Sequence, residues 1–332
     1  MARLETRIGQ LCLKNPVIAA PAEHMIADGG IRAAIEAGAG AVVMKSTNES
    51  AAAKAQLRAA EYVALDAHWS PVPWGPQADP ATVILSRSGL HPLGFEDWLA
   101  QCVAHDKIAR EHDCLLVPSL ILADLEQAIG MALAVQAAEG AVTTETVGAR
   151  VAMLTSALTE RLEIPVWVKL TGQSNDVPQL ARAAIEAGAQ SAIVAGRLLG
   201  MLPDLTTQEP MLGTSGGFGG FWNLPLTCHW LALCRAAIGP GAALIGINGI
   251  TGGHDIARAM LAGASATGLA SAIMLRGFDV IEESIETLDA YCQAKGMTAA
   301  DLIGRAADAR KSFAEMPELD AHWTKFVPPQ SR

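Results

Sequence analysis

The sequence is short of what several protein classes require. Charged residues make up only 17% of its 332 residues, and 34 acids against 24 bases leave a formal charge of −10. Nucleic-acid binding needs a basic face to neutralise phosphates, so this chain is a poor match to that class. Long apolar runs are missing too. The longest, Cys114 to Ala123, is about ten residues and is interrupted by Pro118 and Ser119, whereas a membrane helix needs roughly 20. The opening residues, MARLETRIGQ, lack the apolar core of a signal peptide, so a cytoplasmic protein without membrane contact is expected. The six cysteines (Cys12, Cys102, Cys114, Cys228, Cys234, Cys292) include no CxxC pair, and the eight histidines include no HxxxH or HExxH spacing. Free thiols are therefore expected, with no local metal site.

What the chain has instead is apolar bulk and repetition. Hydrophobic residues reach 51% and the mean hydropathy is +0.27, too apolar for a disordered chain. No Ser/Gly linker or charge block divides it, and α/β barrels run past roughly 250 residues as one domain, so a single domain over 1–332 is expected. The segment Arg32-Ala-Ala-Ile-Glu-Ala-Gly-Ala39 returns letter for letter at Arg182 to Ala189. Looser copies run from Arg258 to Ala264 and from Gln136 to Ala141. Each copy reads as the end of a helix, a glycine suited to positive φ just past it, and a small apolar strand. Helix–Gly–strand units in series mean a parallel sheet.

Eight strands are expected near 16–20, 40–45, 114–121, 141–147, 165–170, 191–195, 243–247 and 265–270, with helices near 176–187 and 223–238 among those between them. Such a series closes into a (β/α)8 TIM barrel, with an open doubly wound sheet as the alternative. Glu5–Ile8 and Gln10–Leu13, around Gly9, read as a β-hairpin plugging the barrel floor. Long connections, 46–100 after strand 2 and 196–222 after strand 6, leave the strand ends where barrel enzymes keep their sites. Outer helices are expected around 278–295 and 299–315, and a tail from Pro317 that lies on the surface or makes an oligomer contact.

Two lysines, Lys45 and Lys169, end apolar strands and are expected to point into the barrel mouth. Together they favour a pocket for an anionic ligand over two lysines that merely reach for water. The turns Ile245-Gly-Ile-Asn-Gly-Ile250 and Gly268-Leu-Ala-Ser271 follow strands 7 and 8, where many barrels bind phosphate. Gly213 to Gly220 reads as a flexible glycine loop on the same face. His24, Glu49 and Glu145 are candidate acids or bases, each with a structural alternative. Trp74 is a candidate lid residue.

Together these pieces resemble the dihydroorotate dehydrogenase family, including the related barrel of dihydropyrimidine dehydrogenase. The similar stretches, in order, are Leu13 to Ala20, Gly38 to Thr47, the substrate loop Ser88-Gly-Leu-His-Pro-Leu-Gly-Phe95, Pro165 to Leu170, Leu198 to Met201, Gly216 to Gly220, and the turns after strands 7 and 8. The resemblance implies an FMN-containing barrel that moves a hydride between flavin N5 and a CH–CH or C=C bond of a small substrate. It implies flavin-ring contacts from Ala20, Ala22, Lys45 and Ser46. Lys169 would stabilise charge on the reduced ring. Gly219, Gly220, Asn248, Gly249, Ala270 and Ser271 would hold the ribityl chain and phosphate. Ser86, Ser88, Gly89, Leu90 and Arg197 would face the substrate. A homodimer and an electron-transfer partner are also implied.

The departures are as informative. The family's Asn-x-Ser-Cys-Pro-Asn loop, which carries its base, is replaced by Thr143-Thr-Glu-Thr-Val-Gly148, expected to run straight into a helix. Its Asn-Ser/Thr pair after strand 6 is Ala195-Gly196, and the asparagine of its substrate loop aligns near Ser86. A site built on hydrogen bonds rejects ligands that leave its partners unpaired, so a substrate other than dihydroorotate is expected. The catalytic candidates are Lys169, Lys45 and Glu145, with Ser86, Ser88, His24 and Glu49 also open as acid or base. Asn248 and Ala270 stand where the family's phosphate loops carry glycine, which requires a negative or left-handed-compatible φ. A degenerate flavin binder, or a non-redox phosphate-binding isomerase or lyase using a Schiff-base lysine, are the alternatives.

Overall fold

The structure, a computed structural model, describes residues 2–121, 124–138, 142–145, 150–196 and 198–328. Its strands in chain order are β1 (Thr6–Ile8), β2 (Leu11–Leu13), β3 (Val17–Ala19), β4 (Ala41–Val43), β5 (Glu61–Leu65), β6 (Val83–Arg87), β7 (Leu115–Val117), β8 (Ser119–Ile121), β9 (Val142–Glu145), β10 (Val166–Lys169), β11 (Ser191–Val194), β12 (Leu198–Gly200), β13 (Gly216–Gly220), β14 (Ala243–Ile247) and β15 (Ala266–Leu269).

The main sheet runs β7-β4-β3-β15-β14-β11-β10-β9-β8, with every pairing parallel. Its first and last members are consecutive stretches of one chain, parted only by Pro118. Proline has no N–H for a ladder, so the expected strand 114–121 bends there and pairs with β4 before the bend and β9 after it. The sheet is strongly curled and TIM-barrel-like. An open doubly wound sheet, with its edges far apart, does not describe this strand order.

Side-chain alternation explains the curl. Ile18, Ala41, Val43, Val117, Trp167, Ile193, Ala243, Ile245 and Ala266 pack together in one apolar cluster. Their strand neighbours Val17, Val42, Leu116, Val168, Ala192 and Leu244 belong to a second cluster shared with the helices. A period of two splits each strand between two cores. One set can meet itself across many strands only if the sheet wraps around it.

Ile8 and Leu13 of the antiparallel β1–β2 hairpin are buried in that inner cluster. Each contributes roughly 1.5–3 kcal/mol by leaving water, so the hairpin closes the floor as its sequence suggested. The repeat glycines behave as expected: Gly38, Gly188 and Gly263 have φ of 89°, 95° and 122°. The fourth repeat's Gly140 lies outside the described residues. Helices Val177–Glu186, Leu224–Ile238 and Asp279–Lys295 match expectation.

Two expectations need correction. The segment 299–315 is not one helix but short turns at Ala299–Leu302, Arg305–Asp308 and Phe313–Glu315. Gly304, at φ 81°, breaks it where the chain packs against Arg235. The two long connections are also not plain loops. β5 and β6 of the first pair with each other, as do β12 and β13 of the second, and β6 pairs with β13 to join them into one antiparallel sheet in the order β12-β13-β6-β5. The expected flexible glycine loop is thus partly β13, an inner strand of this sheet. A Cβ on Gly216 would lie 2.4 Å from the Ser86 carbonyl oxygen, so the glycine there permits close strand approach.

Candidate functional site

One cavity of about 280 Å³ opens at the C-terminal ends of the parallel strands, under the four-stranded sheet. Its floor is the inward layer of the curled sheet: Ile18, Val43, Thr143, Trp167, Ile193 and Ile245. Its rim comes from residues just past strand ends. The upper sheet contributes Tyr62, Ile84, Ser86, Gly217, Phe218 and Gly219.

Most of the residues singled out in the sequence meet here. Lys45, Lys169, Ala20, Ala22, Ser46, Gly219, Asn248, Gly249, Ala270 and Ser271 line the cavity, as do Ser86, Ser88, Gly89 and Leu90. Gly220 does not line it; the residue is extended, and a Cβ there would lie 3.2 Å from both Trp222 Nε1 and Val83 Cα. Glu145 lies in β9, its backbone in register with Lys169 of β10 and Ile121 of β8; its side chain is outside the described part of the structure. Arg197 lies outside the described residues, as do 146–149, where a direct run into a helix was expected; the next helix is Val151–Thr159.

The other acid–base candidates sit elsewhere. Glu49 accepts a hydrogen bond from the Asp124 backbone N–H at 2.9 Å, beside the helix Leu125–Ala137, outside the cavity wall. His24 packs edge-on against Phe278, with both ring nitrogens buried and without a hydrogen bond of ordinary geometry. Burial drives its pKa down to about 4, and the charge of Glu23 offsets only part of that. It is therefore neutral at pH 7. Trp74 is exposed and packs at 75° against Tyr62, which lines the cavity; the side chain itself is not part of the lining.

The densest polar cluster was not read from the sequence. Glu23, just beyond β3, accepts Lys45 Nζ at 3.1 Å and Ser88 Oγ at 2.7 Å on Oε1, and the Tyr62 hydroxyl on Oε2. Lys45 also donates to Ser88 Oγ at 2.9 Å. Trp98 Nε1 holds the Lys45 backbone carbonyl at 3.1 Å, which anchors the lysine's position. Burial alone would raise the Glu23 pKa, but Lys45, Tyr62 and Ser88 together outweigh it, and the carboxyl stays below its ordinary range. Ser46 Oγ and Ser119 Oγ lie 2.7 Å apart on the same wall. Glu23 and Tyr62 carry no local motif, and only the fold brings them together. Trp167 could have been found, because it stands two residues before Lys169 and so faces the same side of the strand.

The cavity also has features suited to a flat ring: a wall of small residues and an unpartnered donor at its floor. The wall nearest the last two parallel strands is Ala20, Ala22, Gly268, Ala270 and Ser271. A Cβ on Gly268 would lie 2.8 Å from Ile247 Cγ2, so nothing larger than glycine fits. Trp167 Nε1 is a buried donor at the floor with no partner, as a polar ligand atom would require. Asn248 has φ 72°, in the left-handed region that asparagine tolerates, and Ala270 has φ −125°, so both substitutions for glycine are accommodated. Among the described residues no group of three or more His, Cys, Asp or Glu is arranged to hold a metal, and no helix is long and apolar enough to cross a membrane. All six cysteines are free thiols.

Comparison with known proteins finds relatives that match part of the chain. The chain is 26% identical over 153 residues to the catalytic subunit of dihydroorotate dehydrogenase B (NAD(+)) from Methanocaldococcus jannaschii, covering 45% of this chain and 49% of that protein. It is 34% identical over 122 residues to dihydroorotate dehydrogenase A (fumarate) from Lacticaseibacillus paracasei, covering 36% and 41%. The corresponding figures for the B-type catalytic subunit of Saccharolobus solfataricus are 33% over 144 residues, 43% and 48%. The chain thus matches about half the length of these relatives or less. The profile of the dihydroorotate dehydrogenase family matches residues 122–291, just over half of the chain, and the chain belongs to that family.

Proposed function

We propose that this protein is an FMN-dependent oxidoreductase acting on a CH–CH or C=C bond of a small cyclic substrate other than dihydroorotate. The single observation that carries the reading is the cavity itself. Two lysines, a wall of small residues and an unpartnered indole N–H converge at the mouth of a curled parallel sheet in a member of this family. The reading takes that sheet as a closed (β/α)8 barrel, supported by the contiguity of β7 and β8 across Pro118.

In this reading Ala20, Ala22, Lys45, Ser46 and Lys169 hold the ring of FMN. Gly219, Asn248, Gly249, Ala270 and Ser271, which line the cavity, hold its ribityl phosphate, with Gly220 continuing the strand beside Gly219. When bound, FMN would supply the hydride acceptor or donor. The chain's own work is to orient, to exclude water and to hold charge. Lys169 stands at a strand end as a cation for negative charge on the ring. Phe218 and the upper sheet shield the reacting face, while Ser86, Ser88, Gly89 and Leu90 border the substrate. Glu145 and Arg197 stay with this proposal as an acid–base and a substrate-binding candidate. Its setting is a cytoplasmic homodimer passing electrons to a partner protein.

The test is to purify the protein, release any bound chromophore by denaturation and identify it by mass. One FMN per chain, bleached by dithionite, is the expected result. A colourless protein that takes up no added FMN overturns the proposal. Bound FMN that no dihydropyrimidine, NADH or NADPH reduces, and whose dithionite-reduced form no pyrimidine or enone reoxidises, would favour a flavin binder without turnover, consistent with the missing Asn-x-Ser-Cys-Pro-Asn loop.

A further inference from the structure

The cavity wall carries an anion of the protein's own. Glu23 is held by donors from three separate segments: Lys45 beyond β4, Tyr62 on β5 and Ser88 beyond β6. Such a carboxylate is a built feature, since three chain segments converge to satisfy it. Its pKa below the ordinary glutamate range keeps it ionised at neutral pH. The described ionisable groups around it are Lys45, Tyr62 and His24, and His24 is neutral. The charge of Lys45 is therefore matched inside the wall.

A carboxylate ligand drawn to Lys45 would have to approach Glu23, a like charge in a partly desolvated place. It would also compete for Ser88, whose hydroxyl already donates to Glu23 and accepts from Lys45. A neutral ligand meets the opposite situation. An ionised carboxylate has about four acceptor sites, and the three donors here leave room on Oε2 for one more N–H or O–H.

We infer that the subsite bounded by Glu23, Lys45, Tyr62 and Ser88 takes an uncharged ligand with an N–H or O–H donor, such as a cyclic amide or imide, and excludes carboxylates. This rests on the proposed reading of the cavity as the substrate site, and it names the substrate class.

Benzamide and benzoate, nearly equal in shape, separate the two chemistries. Each is titrated into the purified protein, with and without FMN, by calorimetry. Wild type is expected to bind benzamide at least roughly tenfold more tightly than benzoate. Glu23→Gln, which keeps shape but frees the lysine's charge, is expected to shift that ratio toward benzoate by a similar factor. A wild type that prefers benzoate, shows no preference, or binds neither overturns the inference. So does a folded Glu23→Gln protein with an unchanged ratio. If that variant does not fold, the wild-type ratio decides alone. A protein that binds no FMN yet prefers benzamide overturns the flavin reading and leaves this one standing.

Discussion

Lys45 Nζ lies 3.1 Å from Glu23 Oε1, and the lysine side chain is only 7% exposed while the glutamate is 21% exposed. The pair joins the ends of two neighbouring parallel strands and ties both to the upper sheet through Ser88 and Tyr62. Breaking a buried pair by removing one partner costs more than the pair is worth, because the other charge remains. Glu23→Gln is expected to lower unfolding free energy at pH 7 by about 3 kcal/mol. The folded pKa of Glu23 lies below its unfolded value, so its contribution is complete above the unfolded pKa and is lost as pH falls through the folded one. Denaturant unfolding should therefore show the gap between wild type and variant narrowing below about pH 4. A gap that stays constant from pH 7 to pH 3 would mean the pair is not ionised.

His24 gives the second prediction. Its folded pKa of about 4 lies below the ordinary histidine value, because burial disfavours the imidazolium. The unfolded chain therefore binds a proton first as pH falls, and stability is lost between about pH 6.5 and 4. At roughly 1.4 kcal/mol per pKa unit, the loss approaches about 3 kcal/mol. His24→Leu is expected to abolish that segment of the pH–stability curve. Equal slopes for the two proteins between pH 6.5 and 4.5 would contradict it.

Gly249 gives the third. Its φ is 81°, and a Cβ there would lie 2.3 Å from the Leu224 backbone nitrogen. Gly249→Ala is expected to cost about 2 kcal/mol or more and to weaken FMN binding, since Asn248 must move with it. Gly296→Ala is the control. It has φ 64° with open space around it, far from the cavity, and should cost about 1 kcal/mol with FMN affinity unchanged. Flavin fluorescence titration reads both; equal loss of affinity in the two variants would refute the cradle.

The parts legible in advance share one property: each depends on local pattern. The repeated Arg-Ala-Ala-Ile-Glu-Ala-Gly-Ala stretches contain their own helix end and turn, so β4 and β11 could be placed by reading along the chain. Lys45, Lys169, Asn248 and Ser271 were found because strand ends can be located that way. What misled was also local. The run Gly216–Gly220 reads as a flexible loop because glycine has no strand preference, yet pairing with β6 and β12 makes it an inner strand.

The amino-acid sequence by itself determined the parallel strands, their small-residue turns, the floor hairpin and the family. These follow from hydrophobic period and glycine placement over a few residues. Only the tertiary structure decided that two long connections join into one sheet, that Pro118 bends a strand to meet both ends of the main sheet, and that Glu23, Lys45, Tyr62 and Ser88 share protons. Those contacts span 65 positions between Ser88 and Glu23 and 131 between Ser86 and Gly217, and no local preference encodes them. They exist because a curled sheet brings its strand ends together, where desolvation makes each polar group find a partner.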